Sequence, residues 1–272
     1  MRLSFISDEL TVDDMRFARD NGFDGLETNI HIQMGSQNEA GKLLWLEKRA
    51  DAARASLDDH GLKMAAMGVW ELNFINARER DRCIEYYERM VNLAVTLGCP
   101  VLYHGCGDVP GLSPAAKIER YLTVGETLVH LAEKEGLRAC IYSGDLVHFA
   151  WDPTTWGQIF PRVPTLGLKY DPSHLFYERC PYLEPLVHFF REFGPKVYHV
   201  HIKDVHRISD HEFLEPPAGM GEIDWPAILA VLYANKYDGF LSLEPRGRWA
   251  TDPDLRYLGL RLGKQYLQCF MV

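Results

Sequence analysis

Eight strand-like and eight helix-like segments alternate through the 272 residues, which predicts a closed (β/α)8 barrel with the whole chain, 1–272, as one domain. Three observations carry this expectation. Helical segments end on a Gly followed by a short apolar run: DNG-FDGLET, DHG-LKMAAM, TLG-CPVLYH and KEG-LRACIY. Gly22, Gly61, Gly98 and Gly136 suit the left-handed position that closes a helix, which is cheap only for Gly. Helix starts are marked by Ser113-Pro114, Asp152-Pro153 and Asp252-Pro253, each a capping oxygen before a Pro at the first helical position.

Taken in order, RLSFI (2–6) alternates as a first strand and leads to a helix over 11–20. FDGLET closes the second strand at 28, and the periodic stretch 41–59 comes next. LKMAAM (62–67), CPVLYH (99–104) and LRACIY (137–142) are apolar runs too short for helices; the amphipathic stretches 78–97, 114–134 and 154–160 come after them. TLGLKY (165–170), VYHVHI (197–202) and FLSLE (240–244) complete the set, with helices over 183–193, 226–236 and 253–267. No linker or low-complexity segment divides the chain.

Net charge is −9, and no basic block interrupts the sequence, which argues against a surface that tracks nucleic-acid phosphates. Six scattered cysteines without a CxxC pair read as reduced thiols, and no apolar run has membrane-spanning length. MRLSFISDEL reaches an acid by Asp8, too early for a secretory leader, so a soluble, cytoplasmic protein is expected. Sites in such barrels lie where strands leave the wall at their C-terminal ends. The polar residues ending the apolar runs are therefore the mouth candidates: Glu27, Trp70, His104, Tyr142, Asp171, His201 and Glu244.

Three consecutive strands put metal-binding side chains there. In KYDPSHLFYE, Asp171 stands at the strand exit; it either caps the next helix or turn, or it faces the mouth. Pro172 turns the chain so that His174 faces the same way. VYHVHIKDVHR places His199 and His201 on one strand face and leaves His206 in a loop. In LSLEPRG, Glu244 precedes Pro245, and an inward carboxylate needs a cation or a hydrogen-bond network. Asp171, His201 and Glu244 together suit one divalent ion (Mn, Co, Zn or Mg), with His199 orienting a ligand from behind. Lys203 and Asp204 fit a salt-bridged rim pair or a substrate contact, and Trp70 and Trp249 fit packing or stacking on a sugar ring.

The order GFDGLE, a His-bearing fourth strand, YDPSHL, HVHIKD, GMGEIDW and GFLSLE resembles the sugar phosphate isomerase/epimerase family of xylose-isomerase-like barrels, across almost the whole chain. Ketose 3-epimerases and inosose dehydratase are relatives within that resemblance; endonuclease IV is more remote. It implies one divalent metal held by a strand-five Glu, Asp171, His201 and Glu244, with His174, Arg207 and His104 contacting substrate. The strand-five Glu is missing: GLRACIYSGD puts Tyr142 at that position. Tyr142 as a fourth ligand, Asp145 or His148 as a replacement, or three protein ligands plus water are the alternatives. The resemblance implies a carbohydrate isomerase or epimerase acting on a small sugar or polyol through an enediolate-type intermediate, with Glu244 as the catalytic carboxylate. Loss of one carboxylate keeps two alternatives in play, a dehydratase of the inosose type and a barrel that binds sugar without chemistry. Neither nucleic acid nor membrane is an expected partner, and self-association into a homo-oligomer is left open.

Overall fold

The computed structural model describes residues 1–142, 148–177, 186–209 and 212–271, with backbone alone at 175–177. Eight parallel strands close into a barrel: β1 (Arg2–Ile6), β2 (Gly25–Asn29), β3 (Lys63–Val69), β4 (Val101–His104), β5 (Arg138–Tyr142), β6 (Gly167–Tyr170), β7 (Val197–Ile202) and, after a short hairpin of β8 (His206–Arg207) and β9 (Phe213–Leu214), β10 (Phe240–Leu243). The ring order is β1-β10-β7-β6-β5-β4-β3-β2, so chain neighbours are ring neighbours and the last barrel strand seals against the first. The seal pairs Arg2 with Phe240 and Phe5 with Leu243, and β10 sets Ser242 beside His201 of β7.

The helices are α1 (Val12–Asp20), α2 (Gly41–Glu47), α3 (Ala50–Asp59), α4 (Arg80–Leu97), α5 (Pro114–Lys134), α6 (Pro153–Ile159), α7 (Pro172–Tyr177), α8 (Leu186–Phe193), α9 (Trp225–Ala234), α10 (Arg248–Thr251) and α11 (Pro253–Gln268). Gly22, Gly61, Gly98 and Gly136 all have φ between 66° and 75°, the left-handed turn expected of them. Ser113, Asp152 and Asp252 accept from Ala116, Thr155 and both Asp254 and Leu255 backbone N–H groups, so each Pro-marked start is capped as expected. Two departures are local. The stretch 41–59 breaks at Lys48-Arg49 into α2 and α3. Pro172 does not turn the chain aside but occupies the first position of α7, where its missing N–H costs nothing.

The core is divided by the barrel wall. Leu102, Ile141, Leu168, Val200 and Leu241 face outward into one continuous apolar layer with Leu93, Leu128 and Ile228 of the helices. Ala66, Val101, Tyr103, Cys140 and Tyr142 form a separate, smaller cluster on the inward face. Gly68 makes room for it, because a β-carbon there would collide with the Tyr103 ring. Cys83, Cys99, Cys106, Cys140 and Cys269 are free thiols, while Cys180 and Asp145 lie outside the described residues. No helix among the described residues is long and apolar enough to cross a membrane.

Candidate metal centre

The period-two alternation of β7 points both His199 and His201 into the barrel, where each meets the buried carboxylate of Glu27 in the middle of β2. His199 Nε2 donates to Glu27 Oε2 at 2.6 Å, and His201 Nε2 contacts Glu27 Oε1. The Tyr103 hydroxyl donates to Glu27 Oε1 at 2.5 Å and touches the Asn29 carboxamide. Burial alone would raise the Glu27 pKa, but His201 and His199 outweigh it and hold the carboxyl well below its usual range. Burial likewise opposes charge on His201, yet Glu27 lifts its pKa to about 9.

With Nε2 fixed on Glu27, the Nδ1 of His201 faces the mouth. It lies 3.3 Å from Glu244 Oε2 and 3.7 Å from Asp171 Oδ2. Asp171 divides its labour: Oδ1 accepts from the Ser173 N–H (3.2 Å) and hydroxyl (2.5 Å), starting α7, while Oδ2 faces the site. Both readings of this residue therefore hold, one for each oxygen. Glu244 follows β10, and its backbone N–H continues the ladder to Ile202 at 2.9 Å. One ligand atom from each of Asp171, His201 and Glu244 falls within 4.8 Å of the others. Ligand atoms around a tetrahedral divalent ion with bonds of about 2.1 Å stand about 3.4 Å apart, close to the 3.3 and 3.7 Å found here. Two carboxylates and an imidazole, with the imidazole's far nitrogen on a third carboxylate, fit a divalent ion in chemistry as well as spacing.

Two lysines join the group. Lys203 Nζ lies 2.8 Å from Glu244 Oε2, 3.0 Å from His174 Nε2 and 3.4 Å from Asp171 Oδ2. Burial disfavours its charge, but Asp171 and Glu244 outweigh that and raise its pKa. Lys169, on β6, is fully buried with Nζ 3.5 Å from Asp171 Oδ2 and 3.8 Å from the centre of the Tyr142 ring; burial brings its pKa down to about 8 against the pull of Asp171. Asp171 and Glu244 are held well below the usual carboxylate range, because Lys203 leads the charges that overcome their burial.

The remaining sequence candidates separate. His174 belongs to the group: it contacts Asp171 at 3.4 Å, Lys203 and the Tyr142 hydroxyl, and burial with the Lys203 charge pushes its pKa down to about 3. Tyr142 faces inward as expected, but its hydroxyl goes to His174. His148 accepts at Nδ1 from the Gly107 N–H at 3.0 Å. His104 is not at the mouth. Val101 and Tyr103 take the inward positions of β4, so alternation turns His104 to the helix side, where Nε2 meets the Tyr121 hydroxyl at 2.8 Å between Phe74 and Tyr87. Burial there lowers its pKa to about 3. Arg207 lies on the β8–β9 hairpin with its guanidinium 4.8 Å from the Phe213 ring centre, and His206 pairs with Glu222.

Lys203 and Asp204 are not a pair: Asp204 instead accepts from the N–H groups of Val205, Gly219 and Ile223, folding the segment after β7 onto itself. Trp70 packs edge-on against Tyr142 at 5.7 Å, and Trp249 packs over Gly259 of α11. Four site residues were only partly legible, or not at all, in the sequence. Glu27 is placed at the mouth without partners, Lys203 at the rim, and Tyr103 and Lys169 are passed over. Lys169 carried a signal, since it stands two residues before Asp171 and so shares its face.

The chain has no significant match among curated proteins. Solved structures do resemble it, at identities that speak for the fold alone. The xylose isomerase domain protein from Planctomyces limnophilus has 18% identity and a TM-score of 0.77, over 99% of this chain and 96% of that one. A D-psicose 3-epimerase from Clostridium cellulolyticum H10, solved with D-tagatose, has 14% identity and a TM-score of 0.78 over 99% of both chains. The IolI protein, solved with a bound zinc atom, has 16% identity and a TM-score of 0.76 over 98% of this chain and 96% of that one. The family model described as xylose isomerase-like TIM barrel matches residues 15–262, nearly the whole closed ring and its mouth, and this chain belongs to that family.

Proposed function

We propose that this barrel is a divalent-metal-dependent isomerase or epimerase of a small sugar or polyol, acting on a carbon beside a carbonyl. One observation carries the reading: Asp171 Oδ2, His201 Nδ1 and Glu244 Oε2 converge at the barrel mouth at metal-ligand spacing. The epimerase solved with D-tagatose and the zinc-bound IolI protein share the fold and support it. Mn, Co, Zn or Mg are the candidate ions, and any of them, when bound, would polarise a substrate carbonyl and its neighbouring hydroxyl.

The chain's own groups divide the remaining work. Glu244, ionised between Lys203 and His201, is placed to accept a proton from the carbon beside the carbonyl. Glu27 fixes the His201 ring so that Nδ1 stays turned to the mouth. Tyr142, where the resemblance implies a carboxylate, joins its hydroxyl to a neutral His174, and the pair would offer substrate a hydrogen-bonding partner without a charge. The Tyr142–His174 pair is also what favours a second reading, elimination of water, since the Tyr142 phenol can give its proton to a leaving hydroxyl. Purified protein is expected to hold one divalent ion per chain by elemental analysis and to turn over ketoses or inososes only with it. Glu244→Gln should lose at least a thousandfold in kcat, whereas Tyr142→Phe should keep the ion. A protein that never carries a stoichiometric ion sinks the proposal; ligand-induced thermal shifts without turnover would leave a sugar-binding barrel.

A further inference from the structure

Lys203 is the lysine that touches both carboxylates of the ligand triangle. Its Nζ stands 2.8 Å from Glu244 Oε2 and 3.4 Å from Asp171 Oδ2. Those are the same two oxygens that face His201 Nδ1 at 3.3 and 3.7 Å. An ion held by the triangle through bonds of about 2.1 Å would lie within about 5 Å of the ammonium as it now stands. The Lys203 side chain is 2% exposed, so little water separates the two charges. Lys169 is different: it reaches only the Asp171 oxygen, at 3.5 Å, and rests on the face of Tyr142. Of the two contenders for the shared oxygens, the ammonium is the one on a flexible four-carbon stem.

Resting on the metal-dependent function proposed for the barrel, we infer that Lys203 is a built-in competitor for the divalent ion. It neutralises Asp171 and Glu244 itself, is driven off their shared oxygens when the ion binds, and thereby sets the ion affinity of the site. The lysine is then a specificity-determining residue: only an ion that binds the two oxygens more strongly than the ammonium does can hold the triangle.

The test is titration of Mn(II) into wild type, Lys203→Met and Lys169→Met, with the free ion followed by electron paramagnetic resonance. Lys203→Met should tighten the Kd at least fivefold, and Lys169→Met should change it less than Lys203→Met does. A smaller gain from Lys203→Met overturns the inference, and so does an equal gain from Lys169→Met, which would mark a general field effect. If Lys203→Met does not fold, Lys203→Gln is read the same way. A crystal structure of the Mn(II)-loaded wild type decides independently: an ammonium still touching both oxygens beside the bound ion overturns the inference. Binding by wild type that Glu244→Gln abolishes, with no gain from Lys203→Met, overturns this inference and leaves the proposed function standing. No binding by any of these proteins overturns both.

Discussion

The two faces of the barrel wall are built from the same strands and are equally buried, yet they obey different rules. Outward, Leu102, Ile141, Leu168, Val200 and Leu241 meet helix side chains in an apolar layer whose stability comes from area removed from water. Inward, the barrel strands carry Glu27, Lys169, His199 and His201 with Tyr103 and Tyr142, and Ala66, Val101 and Cys140 pack among them as apolar filling. Burial favours each outward residue singly. An inward residue is tolerable only through its partners, because a charge out of water is costly until another group satisfies it. Where buried ionisable groups gather without an apolar reason, a site is the physical expectation.

Substitutions on the two faces should therefore fail differently. Glu27→Ala strips the acceptor from Tyr103, His199 and His201 at once and should cost about 4 kcal/mol in urea unfolding. A loss under about 1 kcal/mol would mean the inward network is not held by that carboxylate. Leu128→Ala, in the outer layer, should cost about 3 kcal/mol through lost contact and residual cavity while the Mn(II) Kd stays within twofold. A weakened ion with an intact fold would show that the faces are coupled across the wall.

The smallest effect belongs to the rim, outside both layers. His31 lies 2.6 Å from Glu71 and 4.0 Å from Asp8, and its bonds to Asp8 and then Glu71 raise its pKa to about 9. The folded value is above the unfolded one, so its contribution is complete below about pH 6.5 and fades as pH rises towards 9. With the ring 40% exposed, solvent screening keeps that contribution under about 1 kcal/mol. The stability gap between wild type and His31→Asn should shrink over that window; a gap that widens would reverse the assignment.

Local chemistry made the barrel legible in advance. Left-handed glycines, capped Pro starts and strand periodicity are decided within a few residues, and they fell where expected. Asp171, His201 and Glu244 were readable because each ends a strand whose direction is set by the ring. Spacing could not show pairing across the barrel: Glu27 meets His201 from 174 residues away, and Tyr142 meets His174 from 32. His104 was misplaced by its position at the strand end, when the alternation gives Tyr103 the inward place. The break in 41–59 had no Gly or Pro to announce it.

Asp171 serves two masters, since one oxygen starts α7 and the other faces the mouth. In a lineage drifting away from catalysis, Glu244 could be lost with little effect on the chain's path, but losing Asp171 would also loosen the start of a helix. Retention of this aspartate in a barrel of this kind is therefore poor testimony that the chemistry survives. Glu244, which no helix start depends on, is the better witness.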